Sequence, residues 1–361
     1  MRAAKFVTKF NVAASLKLVP LVSHSFADAA AATTSLYKIF NDQSKSNGAR
    51  DFIRFDHRGQ RWTFTEVKKH SLAFAKGLTE LGFKSGDKVF VWLSSAESQE
   101  FVTAQIGAAR IGVTLVTHNS NSGEEIKNIL KSSKAKGILV APFQKIDGDN
   151  TRIQLLYSLM PSLEDMQSGD GINESNFPDL KYVIQTSNTT LRGATKLKHI
   201  MNYTKKSLFG FELEAGQKSS AAIEHFEGGK STTFTSADLE THAKKIWSDN
   251  KLGSEESVLA VNDLSNPFLV SSCLVGSALS DSIVTCAGTA DPKKNFELLG
   301  SQGVSTVVCD KNFAEASVPS GTSTDALKKA LIFAENGVNP NSVLAGLETK
   351  SVYNSSAKKL Q

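Results

Sequence analysis

The sequence predicts an α/β fold with two subdomains of mainly parallel sheet covered by helices. Three observations lead there. Short apolar segments such as 89–93, 113–116 and 137–140 alternate with longer segments of helical periodicity, the rhythm of βαβ units. These short segments are apolar on consecutive residues, as strands buried on both faces require. Thr63, Ser122 and Thr235 are each followed three residues later by an acid, namely Glu66, Glu125 and Asp238. That spacing lets the hydroxyl and the carboxylate satisfy each other's backbone N–H at a helix start.

Taken in order, residues 1–27 contain no acid and carry Arg2, Lys5, Lys9 and Lys17. The first three bases fall on one helical face and Phe6, Val7 and Phe10 largely on the other. A cationic amphipathic helix of this kind reads as a mitochondrial leader, here bounded at residues 1–35. A surface helix of the mature protein and a secretory signal are the alternatives; Lys9 and Lys17 inside the apolar stretch disfavour the second. A first subdomain is expected over 36–215. Thr63 caps a helix stapled by Trp62 and Val67 and continued by Phe74, Leu78 and Leu81. Gly82 ends that helix, and Gly86-Asp87 turns the chain into a strand at Val89–Leu93. A helix over 97–111, a strand over 113–116, a Ser122-capped helix to about residue 132 and a strand over 137–140 follow. Residues 143–177 look irregular, and 181–185 reads as a strand. A second subdomain is expected over 216–350, with strands near 221–223, 258–261, 282–286 and 304–309. A polar tail occupies 351–361.

The chain is 40% hydrophobic and 21% charged, which supplies a sizeable core. Four of the five net positive charges belong to residues 1–27. The body is therefore nearly neutral, and nucleic acid is excluded as the main partner. No apolar run is long enough to span a bilayer. Cys273, Cys286 and Cys309 lack metal-ligand spacing and read as buried thiols. His57, His70, His118, His225 and His242 have no nucleophile arranged beside them in sequence and read as structural or surface residues.

Several of these segments resemble the amino-terminal domain of adenylate-forming enzymes, the acyl-CoA synthetases, luciferases and peptide-synthetase adenylation domains. Thr63-Phe64-Thr65-Glu66-Val67 resembles the family's Thr-Tyr-x-Glu-Leu helix start. Residues Gly82 to Val89 resemble its Gly-Val-x-x-Gly-Asp-Arg-Val turn, and residues 107–113 and 124–136 its following helix, strand and helix. Farther on, Phe177-Pro178-Asp179-Leu180-Lys181, Thr235 to Leu239, and Asp291-Pro292 to Val307 resemble later family segments. The similarity covers about residues 36–345.

The resemblance implies a Ser/Thr/Gly-rich phosphate loop just before the Thr235 helix, since adenylation needs backbone N–H groups and hydroxyls around a triphosphate. This chain instead has Ile223-Glu224-His225-Phe226-Glu227-Gly228-Gly229-Lys230-Ser231. Glu224 and Glu227 would repel phosphate, so the position is read as degenerate: Glu224, His225, Glu227, Gly228, Gly229 and Lys230 mark it without binding a cofactor. Gly228-Gly229-Lys230-Ser231 echoes a Walker-type sequence but lacks its upstream glycine spacing. No counterpart is found for the family's Tyr-Gly-x-Thr-Glu element, ribose-binding Asp or catalytic Lys. No catalytic residue, metal or cofactor is assigned.

The expectation is thus a catalytically inactive, acyl-CoA synthetase-like pseudoenzyme. It would serve as a structural subunit of a mitochondrial multiprotein complex, with the respiratory chain or ATP synthase first and the mitochondrial ribosome second. An uncovered apolar face is expected to dock it. The alternative is a reduced acyl- or nucleotide-binding module or ligase.

Overall fold

Two mostly parallel sheets and the helices around them account for nearly all the regular structure. The computed structural model describes residues 17–19, 36–118, 122–146, 149–201, 203, 221–254, 256–334, 338–347 and 349–353. The leader lies outside these residues except for strand β1 (Lys17–Val19).

The chain continues through helix α1 (Leu36–Ser46) and an antiparallel hairpin of β2 (Asp51–Phe55) and β3 (Gln60–Thr63). Helix α2 (Phe64–Glu80) leads to β4 (Lys88–Trp92), α3 (Ser98–Ile111) and β5 (Thr114–His118). Helix α4 (Gly123–Ser133), β6 (Gly137–Val140), α5 (Arg152–Leu159), β7 (Tyr182–Gln185), β8 (Ala194–Lys196) and α6 (Leu197–Ile200) follow. A second hairpin joins β9 (Ala221–Glu227) to β10 (Lys230–Thr235) and enters α7 (Ser236–Asp249). The last strands are β11 (Ser257–Ala260), β12 (Ile283–Cys286), β13 (Thr306–Asp310), β14 (Lys329–Phe333) and β15 (Thr349–Tyr353).

Among the described residues one sheet runs β10-β9-β5-β4-β6-β7-β8, and the other β1-β15-β14-β13-β11-β12-β2-β3. Only the hairpin partners β10 and β3 pair antiparallel. Side chains alternate across each strand, and that alternation builds three cores. Val89 and Val91 point into a central core shared with α1, α2, α3 and α7 and with the inner face of the second sheet. Phe90 and Trp92 point the other way, onto α4 and α5. In the second sheet, Leu259, Val307 and Ile332 pack outward against the helix Pro292–Ser301. The result is helix, sheet, helix, sheet, helix, so both sheets are covered on both faces. That explains the non-alternating apolar strands.

The capping expectations divide. Thr63 and Thr235 each accept from the backbone N–H three residues on, with Glu66 and Asp238 returning the bond. Ser122 stands at the N-cap of α4 without a side-chain cap bond. Val67 and Leu239 are buried, as the staples require.

Three expectations need correction. The sheets do not divide the chain at residue 215. β2 extends the parallel edge offered by β12, which carries residues 51–63 into the sheet of the later strands. β9 pairs with β5, which carries residues 221–235 into the earlier sheet. The tail expected at 351–361 begins inside β15, where Val352 and Tyr353 are buried; residues 354–361 lie outside the described ones. The uncovered apolar face expected is not marked by exposed large side chains: among the described residues only Phe143 and Tyr203 are exposed large hydrophobics.

Candidate functional site

The phosphate-loop position is the β9–β10 hairpin. Residue 227 pairs with residue 230, so the connection is only Gly228-Gly229. Both glycines have positive φ, 54° and 75°. A two-residue hairpin turn with both centres in the left-handed region follows the strand twist and selects glycine there. A strand, not a helix, follows Lys230, so the Walker-like echo lacks the strand–loop–helix context that cradles phosphate.

The side chains of this hairpin are committed to the sheet. Glu224 Oε2 accepts from Lys88 Nζ at 2.7 Å across the intervening strand. His225 is buried, with Nδ1 2.8 Å from Thr117 Oγ1. Burial pushes its imidazole pKa down to about 4, because a charged ring would lose its hydration with no acid to replace it. Glu227 is half-buried, while Gly228, Gly229 and Lys230 are exposed at the turn. All six residues singled out in the sequence therefore lie on one hairpin. They do not converge on a cavity.

A cavity of about 490 Å³ lies nearby, where β4, β5, β11, β13 and β14 end. His118, which lines it, is in register with Phe226, two residues before the turn. Such carboxyl ends are where open α/β sheets bind ligands. Arg152 enters it from the start of α5, donating Nη1 to the Trp92 carbonyl at 2.6 Å with its guanidinium 5.2 Å from the Trp92 ring. Burial lowers its pKa to about 10. Asp263 is half-buried and opens on the cavity, and desolvation pushes its carboxyl up to about 6. Sequence reading missed both residues. The available signal was polar Asn262-Asp263 just past β11 and Asp310 at the end of β13.

The remaining candidates are structural. His57 bonds the Ala96 carbonyl, His118 stacks on Phe90, and His242 packs edge-on to Phe234. The three cysteines are free and buried, and burial pushes the Cys273 thiol up to about 12. Among the described residues no cluster of His, Cys, Asp or Glu could hold a metal, and no helix is long and apolar enough to cross a membrane.

Comparison with known proteins agrees with this architecture. The family model for AMP-binding enzymes matches residues 40–191. YngI of Bacillus subtilis (strain 168) is 29% identical over 145 residues, 40% of this chain and 25% of that protein. The mitochondrial medium-chain acyl-CoA ligase ACSF2 of Rattus norvegicus is 28% identical over 136 residues, 37% of this chain and 21% of that one. The chain thus spans about a quarter of the length of the curated relatives it matches. Among solved structures, the N-terminal domain of FACL13 from Mycobacterium tuberculosis superposes with a TM-score of 0.69 at 12% identity, over 89% of this chain and 76% of that one. The anthranilate CoA ligase AuaEII, in complex with anthranoyl-AMP, gives 0.68 at 14%, over 84% and 56%. Residues 40–191 match the model of the AMP-binding enzyme family, and the chain shares the fold of the amino-terminal domain of FACL13 and of the corresponding part of AuaEII.

Proposed function

We propose that this chain is a non-catalytic relative of acyl-CoA ligases that serves as a structural subunit of a mitochondrial multiprotein complex. One observation carries the non-catalytic half of the reading. Where adenylation needs a loop around a triphosphate, this chain has a two-residue turn. Two N–H groups cannot encircle three phosphates. Glu224 is held by Lys88, and His225 is packed neutral inside the sheet, so neither is available to substitute. The mitochondrial half rests on the acid-free cationic leader, with support from similarity to a ligase described as mitochondrial. The host complex is proposed to be the respiratory chain or ATP synthase.

Pyrophosphate exchange with ATP, magnesium and a panel of fatty acids tests the catalytic question. The expected result is exchange at background. Exchange above background that disappears in Lys230→Ala would overturn the proposal, because the short hairpin would then be handling phosphate.

A second reading, a reduced ligand-binding module, is favoured by the cavity between the strand ends. Its buried Arg152 and half-buried Asp263 are polar groups that a bound ligand could pair. It predicts a rise in Tm with ATP or a fatty acid by mass action; the structural reading predicts none.

A further inference from the structure

A second cavity, of about 580 Å³, lies far from the hairpin, between edge strand β3 of one sheet and the β7 end of the other. Its volume is that of a small-molecule site. Trp62, His70 and Tyr203 form an aromatic wall. Trp62 and His70 stack with centroids 4.3 Å apart, and His70 Nδ1 lies 2.8 Å from the Tyr203 hydroxyl. The ring of Tyr203 already takes one ammonium, that of Lys69, 5.7 Å from its centroid. Glu66 and Glu100 line the same space.

Glu100 is the decisive group. Its Oε1 accepts from Arg58 Nη1 at 2.8 Å, and the same nitrogen donates to Gln99 Oε1 at 2.6 Å. Gln99 in turn donates to Gln60. The carboxylate is therefore fixed in position, yet its Oε2 is buried without a hydrogen-bond partner. A buried acceptor left unpaired costs about 1–3 kcal/mol. A donor entering the cavity would recover that cost.

We propose that this cavity binds a small organic amine, whose ammonium donates to Glu100 Oε2 while its apolar part lies along the Trp62–His70 stack. Ring faces attract ammonium groups through their quadrupole, and the Glu100 carboxylate, anchored through Oε1 by Arg58, has only to turn Oε2 toward the entering donor. The two other cations of the lining, Arg61 and Lys198, have exposed side chains and stand at the mouth. They leave the interior to the acceptor. The inference does not depend on the absence of adenylation, because the cavity sits at the opposite edge of the sheet from β9 and β10.

Benzylamine is the probe, with benzyl alcohol and benzoate as the neutral and anionic comparators, all on the full chain. Of the three tryptophans only Trp62 lines this cavity, so a fluorescence change on ligand binding reports chiefly on Trp62. Benzylamine should give a saturable fluorescence change and a concentration-dependent rise in Tm. Glu100→Gln, which keeps the side-chain volume, should weaken the apparent affinity about 10-fold or more. The wild-type comparison stands even if that variant folds poorly: benzylamine must outrank both comparators. No saturable response, an unchanged response in a folded Glu100→Gln protein, or tighter binding of benzoate would each overturn the proposal.

Discussion

His225 was legible in the sequence as a histidine without a nucleophile, placed at the altered phosphate-loop position. Its burial follows from β9 lying between two strands in a sheet covered on both faces, which no local pattern reveals. A neutral buried imidazole has a consequence for stability. Its folded-state pKa, about 4, lies below the ordinary 6.5, so between these values the unfolded chain takes up a proton that the folded chain does not. Stability must then rise with pH across that window and fall as the solution is acidified. Between pH 7.5 and pH 5 this one residue should cost about 2 kcal/mol. Urea unfolding at the two pH values should show the loss, and His225→Asn should flatten it; an equal slope in the variant would remove His225 as the cause. The caps offer a sharper contrast. Three hydroxyl residues share one sequence pattern, yet only Thr63 and Thr235 make the reciprocal bonds. Thr63→Ala and Thr235→Ala should each lower unfolding free energy by about 1 kcal/mol.

At the scale of elements, what was legible depended on how local the determinant was. The helix at 97–111 and the strand at 137–140 emerged from periodicity and turn residues almost at their observed bounds, α3 (Ser98–Ile111) and β6 (Gly137–Val140). Helix α5 was missed inside a stretch rich in Ser, Gly and Asp, although Thr151 and Gln154 make a capping box there. The β2–β3 hairpin was missed because β3 is an exposed edge strand, three of whose four residues are charged or polar. The phosphate-loop position was recognised as altered from its acids alone, but its shortening to a two-residue turn could only be seen once residue 227 was found opposite residue 230. Sequence also gave no sign of the π-helical segment Val270–Val275, where consecutive buried residues pass beneath α7. Gly276, the first residue after that segment, has no room for a side chain, because a Cβ there would lie 1.9 Å from Trp247 Nε1. The indole cannot give way easily, since that nitrogen donates to the Ser272 carbonyl at 2.8 Å. Gly276→Ala should therefore destabilise by about 1–3 kcal/mol through overpacking, visible as a lower denaturant midpoint. A neutral outcome would mean that the Trp247 contact is looser than its geometry.

At the scale of the whole molecule, the sequence predicted the class correctly and the division into subdomains incorrectly, for one reason. Alternation of strand and helix is local, whereas β2 joining β12 and β9 joining β5 are pairings across long stretches of chain. The same distinction shapes the assembly proposal. An uncovered apolar face would have been a direct argument for a partner, but the described surface exposes only Phe143 and Tyr203 among large hydrophobic side chains. A docking surface among the described residues would therefore have few large exposed anchors, and such interfaces gain much of their specificity from charge complementarity, which salt screens. A stable interface should still bury about 1,000 Å² or more. If the chain is a subunit of a mitochondrial complex, it should sediment well beyond the size of a single 361-residue chain in mild detergent at low salt. Raising the salt should release it more readily than raising the detergent. Deleting residues 1–27 should abolish both mitochondrial recovery and the heavy fraction, because the cationic leader is the proposed route in. A protein that reaches mitochondria without the leader defeats the targeting reading. One that arrives and sediments as a monomer at low salt defeats the assembly reading, and the ligand-binding module then becomes the better account of the fold.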